Sequence, residues 1–193
     1  FGIDLDSDGD MDVISSCEDE ERIYWYENNG NQSFVAHALP VSANGAKSVY
    51  AIDMDNDGDV DILSASYSDD KIAWYENNGS QGFSLRTIST SANGAYSVYA
   101  LDIDKDGDID VLSASHLDDK IAWYENNGSE NFTARTIASS ADGARSVYGV
   151  DLDSDGDIDV LSASNDDGKI AWYQNDGSQN FTSYTISSSA DGA

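Results

Sequence analysis

Twenty aspartates in this chain fall into four runs of one pattern, DxDxDGDxD, each beginning 49 residues after the one before. The runs are Asp4, Asp6, Asp8, Asp10 and Asp12; Asp53, Asp55, Asp57, Asp59 and Asp61; Asp102, Asp104, Asp106, Asp108 and Asp110; and Asp151, Asp153, Asp155, Asp157 and Asp159. Gly9, Gly58, Gly107 and Gly156 hold the sixth place. Two bare charges about 4 Å apart repel by about 4 kcal/mol at an effective dielectric near 20. Five carboxylates in nine residues therefore call for a cation among them if the chain is to fold compactly.

Oxygen-only donors select a hard ion, and Ca²⁺ takes about six to eight oxygens at roughly 2.3–2.6 Å. Carboxylates at the first, third and fifth places can converge. Glycine at the sixth permits a sharp turn, a main-chain carbonyl at the seventh adds an oxygen, and a carboxylate at the ninth closes the cage. In the second run these are Asp53, Asp55, Asp57, the carbonyl of Asp59, and Asp61, with water completing the shell. The expectation is about four Ca²⁺, one per run. A helix-flanked EF-hand is excluded, because its twelfth place needs a bidentate Glu and here holds Ser15, Ser64, Ser113 or Ser162.

The runs also explain the charge. The formal net charge is −28, and the four loops hold 20 of the 37 acidic residues. Nine Lys and Arg cannot supply the basic surface that nucleic acid or an anionic membrane requires. No apolar run approaches the roughly 18 residues of a membrane span. The chain starts at Phe1 with no signal-peptide pattern and reads as a mature piece or a window from something longer. Its single cysteine, Cys17, aligns with Ser66, Ser115 and Ser164, which marks a small strand residue rather than a nucleophile.

The elements that must hold the loops repeat with them. In the second copy, 48–53 is β-branched and aromatic, the acidic loop follows, and 60–67 reads as another strand. Lys71 to Glu76 gives a third strand, Asn77-Asn78-Gly79 a hairpin turn with positive φ at Asn and Gly, and 83–88 a fourth strand. On the third strand Ile72 and Trp74 alternate with Ala73 and Tyr75, so both faces are apolar. A sheet wetted on one side would not be built this way, whereas a blade packed between two neighbours would. The expectation is an all-β chain: a β-propeller of four 49-residue, four-stranded antiparallel blades at about 1–46, 47–95, 96–144 and 145–193. It forms either a closed four-bladed ring or a segment of a longer array.

DxDxDGDxDxL between two strands, repeated along the chain, resembles the FG-GAP or VCBS repeat family. The resemblance implies a calcium-binding β-propeller of an extracellular protein, with the loop between the first and second strands of each blade and the metal ligands at the places named above. The short repeat, without visible FG and GAP signatures, places it nearer the VCBS branch.

Catalysis needs an asymmetric constellation, and this chain is nearly one unit four times. His37 and His116 are unrepeated, and no serine has a partnered base. The expectation is therefore not an enzyme, with a polysaccharide lyase or dehydratase as the minor alternative. The leading reading is a secreted or cell-surface structural or adhesive module stabilised by calcium, whose partners are other copies of itself or surface glycans and proteins. The alternative is a carbohydrate-binding lectin with sugars in clefts between blades.

Overall fold

A computed structural model describes residues 1–192. Sixteen strands form four separate four-stranded antiparallel sheets, each a simple meander in chain order. Blade 1 comprises β1 (Gly2–Ile3), β2 (Asp12–Cys17), β3 (Arg22–Asn28) and β4 (Phe34–Ala38). Blade 2 comprises β5 (Ala46–Ile52), β6 (Asp61–Ser66), β7 (Lys71–Asn77) and β8 (Phe83–Ser89). Blade 3 comprises β9 (Ala95–Leu101), β10 (Asp110–Ser115), β11 (Lys120–Asn126) and β12 (Phe132–Ala138). Blade 4 comprises β13 (Ala144–Val150), β14 (Asp159–Ser164), β15 (Lys169–Asn175) and β16 (Phe181–Ser187). The first strands begin at Ala46, Ala95 and Ala144, so each of these blades starts slightly before the boundary expected from the repeat. Among the described residues no helix is long and apolar enough to cross a membrane.

The two-faced third strand decides the packing. Ile72 and Trp74 join the core against blade 3, with Val98, Ala100, Val111 and Tyr124. Ala73 and Tyr75 join the core against blade 1, with Leu5, Ile14, Ile23 and Trp25. A third core of the same make-up, including Ile103, Leu112, Trp123, Val160 and Tyr173, joins blades 3 and 4. Each seam pairs a large Ile, Leu and Trp surface with a smaller Val, Ala and Tyr one, so the sheets interdigitate. A buried tryptophan contributes roughly 150–250 Å², several kcal/mol at about 25 cal/mol per Å².

The first strands approach one another while the fourth strands fan outward and stay largely exposed. Along the inner edge the rings of Phe1, Tyr50, Tyr99 and Tyr148 follow one another with centroids 4.8, 4.8 and 4.7 Å apart. Burial against these neighbours pushes the Tyr99 phenol above its ordinary range. Each third-strand tryptophan is also covered from the fourth strand of its own sheet: His37 stacks on Trp25, Arg86 and Arg135 lie over Trp74 and Trp123, and Tyr184 stacks on Trp172.

Three seams join four blades, and among the described residues no fourth core joins blade 4 to blade 1. Val13 and Leu152 lie on the two faces that closure would bring together, and they are 41% and 44% exposed. Of the two arrangements expected, a closed four-bladed ring or a segment of a longer array, the exposure of these two faces fits the second.

Candidate metal centre

Each acidic run lies between the first and second strands of its blade, and its backbone is wound to converge carboxylates. Gly9, Gly58, Gly107 and Gly156 have φ between 96° and 98°, a region closed to L side chains. The fourth place is left-handed too, at Ser7, Asn56, Lys105 and Ser154, with φ between 61° and 64°. The two left-handed residues turn amides inward. In the second run Asp53 accepts from Asp57 and Gly58 at 3.1 and 3.0 Å, and Asp55 also accepts from Asp57 at 3.2 Å.

Carboxylate oxygens approach within 4.8 Å of one another in four groups, one per blade: Asp4, Asp6 and Asp8; Asp53, Asp55 and Asp57; Asp102, Asp104 and Asp110; Asp151, Asp153 and Asp159. The remaining expected ligands take other positions. Asp12 and Asp61 are buried at the loop base, each oxygen accepting a main-chain amide: from Leu5 and Asn28, and from Met54 and Asn77. Asp110 and Asp159 make the same pair of bonds while also belonging to a group. The side chains of Asp10, Asp59, Asp108 and Asp157 lie instead against Gly30, Gly79, Gly128 and Gly177 of the neighbouring hairpin. Asp106 and Asp155 stay outside the groups, each accepting the amide two residues on.

The residues fit a hard cation. All donors are oxygens, and Asp151 Oδ1 is buried with no hydrogen-bond partner, an atom that an ion in the group would satisfy. Burial pushes Asp61 and Asp110 up to about 7 despite two amide bonds each. Burial raises Asp6 as well, and burial with the charge of the fifth-place neighbour raises Asp55 and Asp104. A cation among these groups would oppose each of these shifts.

The hairpin beside the loop differs from the expected Asn-Asn-Gly turn. Asn77 is still in β7, with its side chain buried and bonded to the Val60 carbonyl and the Gly79 amide. The turn is the longer loop 78–82, closed by the Asn78 amide on the Gly82 carbonyl, and its positive φ values fall at Gly79 and Gln81. Asn77 is more useful as a clamp on the metal loop than as a turn residue.

Two further clusters are not visible from repeat spacing. A cleft between blades 1 and 2 is lined by Asp6, Trp25, Glu27, His37 and Phe83. There His37 Nε2 lies 2.8 Å from Glu27 Oε2. At the ends of the strands remote from the metal loops, Tyr67, Tyr96 and His116 gather with ring centroids 6.0 to 6.4 Å apart. Lys47 lies over both tyrosines and Arg145 over Tyr96. Repeat alignment carried the signal: Lys47, Tyr96 and Arg145 share one place, Tyr67, His116 and Asn165 another, and both are variable within near-verbatim surroundings.

Comparison with known proteins agrees with this architecture. The model of the FG-GAP-like repeat matches four times, at residues 4–64, 53–113, 102–162 and 151–193. No curated protein sequence matches the chain. Among solved structures, a 6-phosphogluconolactonase candidate from Bacteroides uniformis superposes with a TM-score of 0.65 at 15% identity, over 96% of this chain and 52% of that one. A chain of the nidogen/laminin complex superposes at 0.58 and 12% identity, over 86% and 58%. An auxiliary nutrient binding protein from Bacteroides ovatus does so at 0.59 and 14%, over 94% and 46%. The chain thus spans about half the length of the solved structures it matches.

One expectation is corrected here. The reading of the chain as not an enzyme does not stand, because two of the matching structures are 6-phosphogluconolactonase candidates and the fold is therefore no argument against catalysis. Repetition is not uniform at this place either, since the position that sets Arg86 against Glu76 and Arg135 against Glu125 sets His37 against Glu27 in a cleft. At 12–15% identity the likeness shows the fold alone and does not establish that the chain is an enzyme. The matched repeats run from Asp4 to the end of the chain, and the protein belongs to the FG-GAP-like repeat family.

Proposed function

We infer that this protein is a calcium-stabilised interaction module of the extracellular space, a rigid scaffold on which surface contacts are displayed. The observation that carries the reading is the recurrence of one all-oxygen aspartate group in every blade. Ca²⁺ suits such donors, and extracellular modules bind it with Kd on the order of 10⁻⁴ to 10⁻³ M. At tenfold saturation each site adds about 1.4 kcal/mol, so four independent sites approach about 6 kcal/mol, comparable with the net stability of a domain. The ion lets a chain of net charge −28 pack tightly, and the concentration at which it does so is extracellular rather than cytosolic. The test is thermal unfolding against Ca²⁺ concentration. The melting temperature rises through the millimolar range, the rise shrinks by about a quarter with Asp53→Asn and Asp55→Asn together, and Mg²⁺ is a poor substitute. A melting temperature indifferent to both Ca²⁺ and chelator refutes the reading.

A second reading, carbohydrate binding, is favoured by the cluster of Tyr67, Tyr96 and His116 with Lys47 and Arg145. Aromatic faces suit the apolar faces of sugar rings, and in this cluster the side chains diverge while the scaffold does not. Binding on a glycan array that is lost with Tyr96→Ala yet survives Asp53→Asn supports it.

A further inference from the structure

The three seams between blades are variations on one design, and an arginine that fills two of them is missing from the third. In the seam of blades 2 and 3 the Arg86 guanidinium lies 5.2 Å from the Trp74 ring, with Nε 2.6 Å from Glu76 and Nη1 2.5 Å from Glu130 of the next blade. In the seam of blades 3 and 4, Arg135 lies 5.3 Å from Trp123 and pairs with Glu125. The acceptors persist in the seam of blades 1 and 2, where Glu27 corresponds to Glu76, Asp6 to Asp55, and Gln81 to Glu130. His37 takes the place of the arginine, and its shorter side chain stops at Glu27, stacked on Trp25. The space differs accordingly. Beside Asp55 and Glu130 a cavity of about 70 Å³ is left, whereas the cleft beside Asp6, Glu27 and Gln81 measures about 330 Å³.

We propose that this cleft takes a guanidinium group brought by another molecule, in the role that Arg86 plays from within. Glu27 has a second carboxylate oxygen beyond the one that faces His37, Gln81 has a carbonyl oxygen, and Asp6 adds negative charge. Among the described residues no Lys or Arg lines the cleft. A guanidinium is flat and carries N–H donors on several sides, so it can serve acceptors on two blades at once, which a compact ammonium does less well. Apolar walls suit the alkyl stem behind such a group. They are Phe83 and Pro40, the latter standing where blades 2 and 3 carry Ser89 and Ala138. The volume is at the small end of ligand sites, which begin at roughly 300 Å³, so the occupant is one side chain or a compound of that size. The net charge of −28 draws cations toward the chain. Glu27 and Gln81 lie outside the acidic runs, so the cleft is independent of the calcium reading except through Asp6.

The test is isothermal titration calorimetry with butylguanidinium as the probe and butylurea as its uncharged counterpart. It is run at about 0.15 M salt, where attraction to the acidic surface is screened beyond about 8 Å. Ca²⁺ is present in one series and chelated in another, so that a failed calcium reading is separable from a failed cleft. The expected result is one butylguanidinium per chain, with butylurea weaker by at least about tenfold. His37→Arg supplies the missing group from within and abolishes binding, while circular dichroism and the melting temperature hold or improve. Arg86→His opens the corresponding place between blades 2 and 3, and a second equivalent of the probe binds. Glu27→Gln weakens binding by at least about tenfold and keeps the test decisive even where His37→Arg fails to fold. A blocked pentapeptide with a central arginine identifies the source. Binding tighter than that of butylguanidinium assigns the cleft to an arginine side chain of a partner protein, and equal binding assigns it to a small guanidine compound. Absence of probe binding, equal binding of butylurea, or undiminished binding by a folded His37→Arg chain overturns the proposal.

Discussion

Asp61 accepts the main-chain amide of Asn77 at 2.7 Å, and the Asn77 side chain donates to the carbonyl of Val60 at 3.1 Å, closing a loop between two strands. The same exchange joins Asp12 to Asn28, Asp110 to Asn126 and Asp159 to Asn175. It makes the base of each acidic loop part of the sheet rather than an appendage, so the loop that carries the carboxylates is tied to two strands.

Replacing Asn77 with Ala leaves the Val60 carbonyl and the Gly79 amide without partners. A buried polar group left unsatisfied costs about 1–3 kcal/mol. The expected result in chemical denaturation is a loss of that size, with weaker metal binding at the second loop alone. Asn78→Ala, in the exposed turn, costs less.

The two left-handed residues of the loop differ in what a substitution costs. Gly58→Ala puts a side chain into a φ of +96° and costs about 1–3 kcal/mol, although nothing stands within 4 Å of the added carbon. Asn56→Gly relieves the strain at φ +61° but loosens the unfolded chain, so its net effect on stability stays within about 1 kcal/mol. Thermal melts of the two variants separate conformational strain from steric conflict.

Without metal, the pH dependence runs opposite to that of an ordinary acid-denatured protein. Burial raises Asp61 and Asp110 from 3.8 to about 7, so between those values the folded chain holds protons that the unfolded chain has released. Stability from these groups is fully present below about pH 4 and is lost as pH rises through 7, at about 1.4 kcal/mol per pH unit per group. Denaturation in chelator at pH 5 and pH 8 checks the sign, and saturating Ca²⁺ flattens or reverses the slope.

Trp74 and Trp172 occupy the same place in two blades but not the same surroundings. Trp74 is 1% exposed in a seam, so Trp74→Ala loses about 3–5 kcal/mol. Trp172 stacks on Tyr184 at a face without a neighbouring blade, and Trp172→Ala loses clearly less under conditions where the chain is a single copy. Equal losses would mean that the seam is not what the tryptophan stabilises.

Most of the fold is legible in the sequence because its signals are local and repeated. Alternation of Ile72, Ala73, Trp74 and Tyr75 assigns two buried faces, and the recurrence of the acidic pattern fixes blade length. The fate of Asn77 is not legible, since an Asn-Asn-Gly string signals a turn unless one knows that Asp61 stands opposite its amide. The outward placement of the Asp59 side chain depends on the approach of Gly79 from another strand pair. The gathering of Tyr67, Tyr96 and His116 does not follow from spacing, because it depends on how two sheets are set beside one another, whereas the His37–Glu27 pair is a diagonal contact set by the register of β3 and β4.

The column of Phe1, Tyr50, Tyr99 and Tyr148 has one rung per blade and an almost constant step. Duplicating or deleting a whole unit would therefore lengthen or shorten the stack while leaving every surviving rung with the same kind of neighbour. Genetic recombination between such similar segments changes the protein in integer increments, and the geometry tolerates each increment without redesign of what remains.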